Sequence, residues 1–129
     1  MSVKLSNVTF LVPTYDEGIA FFVDALGFDL LEDTPRSDSK RWVRVAPPGA
    51  ETALLLAQPK NATEQAATGQ QTGGRVGFFL ETDNFARDHT RMVKNGVEFQ
   101  ENPRYEDYGT VAVFADPFGN TWDLIEHLE

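Results

Sequence analysis

Apolar positions along the chain follow two different periods, and the switches between them mark out the elements. "NVTFLV" (7–12) alternates and is rich in β-formers, which predicts a strand. Thr14 then opens a T-x-x-E capping box closed by Glu17. Ile19, Phe22, Val23 and Leu26 follow at helical spacing, and Gly27 suits the position just past a helix end. Strands are predicted at "FDLLED" (28–33), "RWVRVA" (41–46) and "TALLLA" (52–57). Further on, "VGFFLE" (76–81) reads as a strand. Phe85, His89, Met92 and Val93 make one helix face, which Asn95-Gly96 ends. "VEFQEN" (97–102), "TVAVFA" (110–115) and "TWDLIE" (121–126) complete the set. Residues 58–74, "QPKNATEQAATGQQTGG", are polar and lack periodicity, so they read as a linker with room for a short helical turn.

The two halves repeat one order of elements. "FLVPTYDEGIAFFVDALGFDLLEDTP" aligns with "FLETDNFARDHTRMVKNGVEFQENP", and Leu11, Gly27 and Glu32 return as Leu80, Gly96 and Glu101 at one constant offset. Gly49 returns as Gly119, and each opens a strand. Each half reads strand, helix, three strands. The fold class is therefore α+β: tandem βαβββ modules, with about eight strands and two main helices. A single domain is expected over 1–129, with module 1 at 1–57, the linker at 58–74 and module 2 at 75–129.

Composition narrows the function classes. Of the 129 residues 41% are apolar and 24% charged, ordinary values for a soluble globular protein. No apolar run is long enough to span a bilayer, and "MSVKLSNVTF" has no signal-peptide core. Cysteine is absent, which removes disulfides, thiolate nucleophiles and sulfur metal sites; the expected location is cytoplasmic. A net charge of −9, spread along the chain, disfavours nucleic acid and anionic membranes as partners. There is no G-x-S-x-G elbow and no P-loop. "TGGR" (72–75) has paired glycines without a preceding strand, and the acid pairs Glu32-Asp33 and Glu106-Asp107 read as solvated.

The end of the chain, "DPFGNTWDLIEH", holds the sharpest local signals. Asp116, Pro117 and Gly119 occupy the positions favoured in a type I turn, so "DPFGN" reads as a hairpin turn and not as a binding loop. Asp123 then stands inside the last strand. Alternation sends Trp122 and Leu124 under the helices and leaves Thr121, Asp123 and Ile125 on the other face.

Together with the repeat, "DALGF" after the first helix and "VFADPFGNTWDLIE" at the end resemble the vicinal oxygen chelate superfamily, which includes glyoxalase I, extradiol dioxygenases and bleomycin-resistance proteins. The resemblance covers almost the whole chain. It implies that each module curls into a half-cup and that two half-cups, from one chain or from two, enclose a pocket. It also implies a homodimer. Metal-dependent members use four strand positions. These fall on Asn7, on Leu55 (or Ala53 if the repeat sets the register), on Gly77 (or Arg75 or Val76) and on Asp123. Only Asp123 is a good donor for a divalent ion. His127 lies four residues beyond Asp123 on the same strand, about 13 Å away. His89 reads as a packed helix residue. No metal or other cofactor is expected, and Asp123 is expected to be hydrogen-bonded or ion-paired, with Arg44 or Arg75 as partner.

Alternation predicts the lining of the cup. It gives Asn7, Thr9 and Leu11 on the first strand, Trp42 and Arg44 on the third, and Ala53 and Leu55 on the fourth. On the fifth it gives Arg75, Gly77, Phe79 and Glu81, with Gly77 leaving space where a ligand histidine would stand. On the seventh it gives Thr110, Ala112 and Phe114, with Tyr108 at the mouth. The expected partner is a small molecule, aromatic or cationic, held by stacking and by Asp123 or Glu81. The alternative is a metal-dependent lyase or isomerase resembling glyoxalase I, or a ring-cleaving dioxygenase. A third is an enzyme using Asp123 or Glu81 as a metal-free general base.

Overall fold

The computed structural model describes residues 2–128 and divides between Gly69 and Gln70 into two compact units. The first unit carries β1 (Asn7–Leu11), α1 (Tyr15–Ile19), a π-helical segment (Ala20–Ala25), β2 (Asp29–Pro35), β3 (Arg41–Ala46) and β4 (Ala53–Ala57), then the short α2 (Ala62–Ala67). Its sheet runs β1-β4-β3-β2, with β1 parallel to β4 and the other pairs antiparallel. The second unit carries β5 (Val76–Glu81), α3 (Phe85–Lys94), β6 (Glu98–Phe99), β7 (Arg104–Glu106), β8 (Gly109–Ala115) and β9 (Thr121–His127). Its sheet runs β5-β9-β8-β6, with β7 also paired to β8 and β5 parallel to β9. Each unit is thus an α+β module with a helix packed on one face of a mixed sheet.

The helix starts follow the chemistry of their caps. The Thr14 hydroxyl accepts the Glu17 N–H at 3.1 Å, and Asn84 does the same for Arg87 at 3.0 Å. Gly27 and Gly96 follow the helices with φ of 80° and 88°, a left-handed conformation that glycine adopts without a Cβ penalty. The first helix departs from a simple 3.6-residue stripe. Its second half widens, with the Leu26 N–H reaching back to the Phe21 carbonyl at 3.0 Å. The wider turn brings Phe21 into the core beside Phe22, which packs edge-on to Phe10 at 5.0 Å. Ile19 and Val23, expected on the core face, are half-buried. Gly18 lets the helix approach the sheet, because a Cβ there would stand 2.9 Å from Leu56 Cδ1. In α3, Phe85 and Met92 are buried and Val93 is 51% exposed, so Val93 leaves the expected face. His89 packs between the rings of Phe85 and Phe99.

The predicted strand over 97–102 is the largest local departure. β6 covers only Glu98–Phe99, and pairing with β8 resumes at Arg104. Pro103 has no N–H to offer a ladder. In the gap the Glu101 carboxylate takes a carbonyl's place, accepting the Val113 N–H at 2.8 Å and two bonds from Arg104 Nε at 3.0 and 3.1 Å.

The turn before β9 is built around one side chain. Asp116 is buried, and its Oδ1 accepts the N–H groups of Phe118, Gly119 and Asn120, each at 3.0 Å. Its Oδ2 accepts Asn120 Nδ2 and Trp122 Nε1, both at 2.9 Å. "DPFGNTW" is therefore a buried, saturated carboxylate that fixes the turn, seats Trp122 and sets the register of β9.

Candidate functional site

In the first unit the helix covers Phe10, Val43, Val45 and Leu56, all buried. The opposite sheet face follows from the pairing. Asn7 stands opposite Ala53, Thr9 opposite Leu55, and Arg44 opposite both Leu55 and Glu32. Trp42 stands opposite Thr34. Polar groups here satisfy one another. Arg44 Nε donates to Asn7 Oδ1 at 2.8 Å, and the Arg36 guanidinium lies 5.7 Å from the Trp42 ring centre. Arg36 also approaches Glu32 at 3.9 Å, and the Thr34 hydroxyl donates to Glu32 at 3.1 Å.

In the second unit Trp122, Phe114 and Leu124 pack on the helix side. On the other face Asp123 is flanked by Phe79 on β5 and Val113 on β8. Phe79 is 65% exposed, a large apolar ring left open to solvent. Glu81 stands opposite Ile125 and approaches His127 Nε2 at 3.2 Å. Tyr108, 50% exposed, precedes β8 and hydrogen-bonds with Arg104.

Asp123 itself is half-buried, and its Oδ1 is fully buried with no hydrogen-bond partner. Burial pushes its carboxyl above the ordinary carboxylate range; Arg104 opposes the rise and Glu101 adds to it. Arg104 is not free to neutralise Asp123. Its donors go to Glu101, to Glu106 at 3.2 Å and to Tyr108, which together hold it firmly charged. The site thus contains an acceptor oxygen with no donor, beside an exposed aromatic ring.

Four expectations need correction. Phe114 is buried on the helix side, opposite Trp122, and Thr110 and Ala112 share that side. It is Val111 and Val113 that share a face with Asp123. Arg75 leaves the lining because β5 bulges at Gly77, which puts Val76 opposite Thr121. Gly77 leaves no space, since a Cβ there would collide with the Thr72 methyl. Neither Arg44, committed to Asn7, nor Arg75 is the cation that Asp123 feels; Arg104 is. Sequence reasoning missed Glu101 and Arg104. The one available signal was the repeat, which matches Glu101 to Glu32, an acid with its own nearby arginine.

The four positions that hold metal in metal-dependent relatives do not fit a divalent ion in this chain. Asn7 Oδ1 already accepts from Arg44, Leu55 and Gly77 carry no donor, and Asp123 stands alone. Among the described residues no three His, Cys, Asp or Glu side chains gather as a metal site. Nor, among them, is any helix long and apolar enough to cross a membrane.

A family model described as Glyoxalase/Bleomycin resistance protein/Dioxygenase superfamily matches residues 4–124. An uncharacterized protein of Shewanella frigidimarina (strain NCIMB 400) is 46% identical over 128 residues, covering 98% of this chain and 95% of the relative. Two solved structures are similar over nearly their whole length. UcmS2 has a TM-score of 0.82 at 28% identity, covering 97% of this chain and 98% of its own. TnmS3, an antibiotic binding protein from Streptomyces sp. CB03234, has a TM-score of 0.78 at 31% identity, covering 99% of each chain.

Proposed function

The chain belongs to the Glyoxalase/Bleomycin resistance protein/Dioxygenase superfamily, and on that premise we propose that it binds a small aromatic molecule bearing a hydrogen-bond donor, without a catalytic metal. One observation carries this reading: the buried, unpartnered Asp123 Oδ1 next to the exposed ring of Phe79. A buried acceptor left without a donor costs about 1–3 kcal/mol, so a ligand donor that turns this half-buried carboxylate toward itself recovers part of that amount on binding. Phe79 offers the stacking surface and Tyr108 a second, amphipathic ring. The printed description of TnmS3 as an antibiotic binding protein supports the same class of role. Glu81, further along the same sheet face, enters the proposal as secondary lining. The donor set supports the metal-free part.

A homodimer belongs to the same proposal. Phe79, Tyr108 and Val8 expose apolar area that a second copy would cover.

Equilibrium dialysis against fused-ring aromatic alcohols and amines tests the binding role. At least one should bind, and Phe79→Ala should weaken it about tenfold, the upper scale of an aromatic pair. A panel that finds no binder overturns the reading. Elemental analysis after growth with nickel, zinc and iron should return well under one ion per chain. A stoichiometric ion lost in Asp123→Asn would overturn the metal-free part. Light scattering at tens of micromolar should give two chains per particle, and a single chain there refutes the dimer.

A further inference from the structure

We infer that Glu101 is a specificity-determining residue, which together with Asp123 selects an aromatic ligand whose donor group is a cation over a neutral isostere. This rests on the binding role proposed above.

The charges around Asp123 do not balance. From β5 it faces Phe79, with Glu81 further along. From β8 it faces Val113. From the strand gap and β7 come Glu101, Arg104 and Glu106, and Tyr108 lies beyond. On its own strand, His127 is engaged by Glu81. Arg104 therefore stands against two carboxylates, Asp123 and Glu101, and its hydrogen bonds go to Glu101, Glu106 and Tyr108.

The gap in the second strand makes this arrangement possible. A regular strand would present a backbone carbonyl to the Val113 N–H. Here a carboxylate does so at 2.8 Å, which places a full negative charge on the ladder beside Asp123. A neutral backbone would satisfy that N–H as well; the carboxylate adds a charge, which it shares with Arg104. A cationic donor at Asp123 gains from both acids at once, whereas a neutral donor gains only the single hydrogen bond.

The test uses two probes of one shape: 2-naphthylmethylamine, an ammonium at neutral pH, and 2-naphthylmethanol, which is neutral. Titration calorimetry on the full chain should show the amine binding at least about tenfold tighter, in line with a charge-assisted over a neutral hydrogen bond. Glu101→Gln keeps an oxygen for the Val113 N–H and should cut that preference about threefold or more, with the alcohol's affinity unchanged. Should the variant fold poorly, wild-type protein still decides the matter. The amine's advantage should shrink as salt rises from about 20 to 300 mM. If both probes bind equally and neither responds to salt, charge selection is refuted and the binding role stands. If neither probe binds, the selection and the binding role beneath it both fall.

Discussion

Asp116 and Asp123 lie in one short stretch of chain and meet opposite fates. Asp116 takes five hydrogen bonds in the turn before β9. Asp123, in the middle of that strand, keeps a buried oxygen with none. The same residue type therefore serves as a structural keystone in one region and as an unsatisfied acceptor in the next. Stability resides where polar demand is met inside the chain; where it is left open, as at Asp123, the proposed ligand would supply the missing donor. The stretch most diagnostic of the family is consequently two devices joined: a turn that fixes register, and the acid which that register delivers to the open face.

The comparison breaks most sharply at Asp116. Asp116→Ala strands five donors, several of them buried, and should cost roughly 3–5 kcal/mol, measured as a lowered urea midpoint at unchanged slope. A loss below about 1 kcal/mol would show that the turn holds without its carboxylate. Asp123→Asn should move stability the other way, raising it by about 1 kcal/mol as the desolvated charge is removed, while abolishing preference for the naphthyl amine. Thermal unfolding and calorimetry on one preparation read both effects.

The gain should also depend on pH in a definite sense. Burial raises the Asp123 carboxyl above its ordinary value of 3.8, so the folded chain holds a proton that the unfolded chain has released. Stability then falls as pH rises through that window. The difference between Asp123→Asn and wild type should be near zero below the ordinary value, and should open toward neutrality. A difference that is flat with pH would detach the gain from ionisation. Smallest of all, Asn7→Ala removes the Arg44 bond on the first unit's already satisfied face. It should cost about 1 kcal/mol and leave the amine's affinity unchanged.

The sequence made much of the fold legible and less of the site. Caps at Thr14 and glycines at 27 and 96 bounded the helices, and the "DPFGN" turn was readable from residue chemistry alone. Three things escaped because their causes are not local. "TVAVFA" is apolar on both faces, so nothing in it fixes which set turns outward, and a slip of one residue moved Phe114 to the wrong side. The bulge at Gly77, where the Thr72 side chain lies close from outside the strand, leaves no mark in the alternation of β5 itself. The π-helical turn adds a residue to the first helix face, and no periodicity of 3.6 announces it. Glu101 was visible only as a repeat partner of Glu32. That it would enter the ladder in place of a carbonyl depended on Pro103 and the broken strand around it.

The break between β6 and β7 has another consequence, for how the chain behaves in a crowded solution. The β6–β7 margin of the second sheet is made of strands of two and three residues, with a proline and a charged side chain between them. An incoming strand from another molecule would find no continuous row of amides there, and would have to displace a carboxylate to reach the Val113 N–H. The interruption that brings a charge beside Asp123 thereby also guards this margin of the sheet against edge-to-edge growth into aggregates.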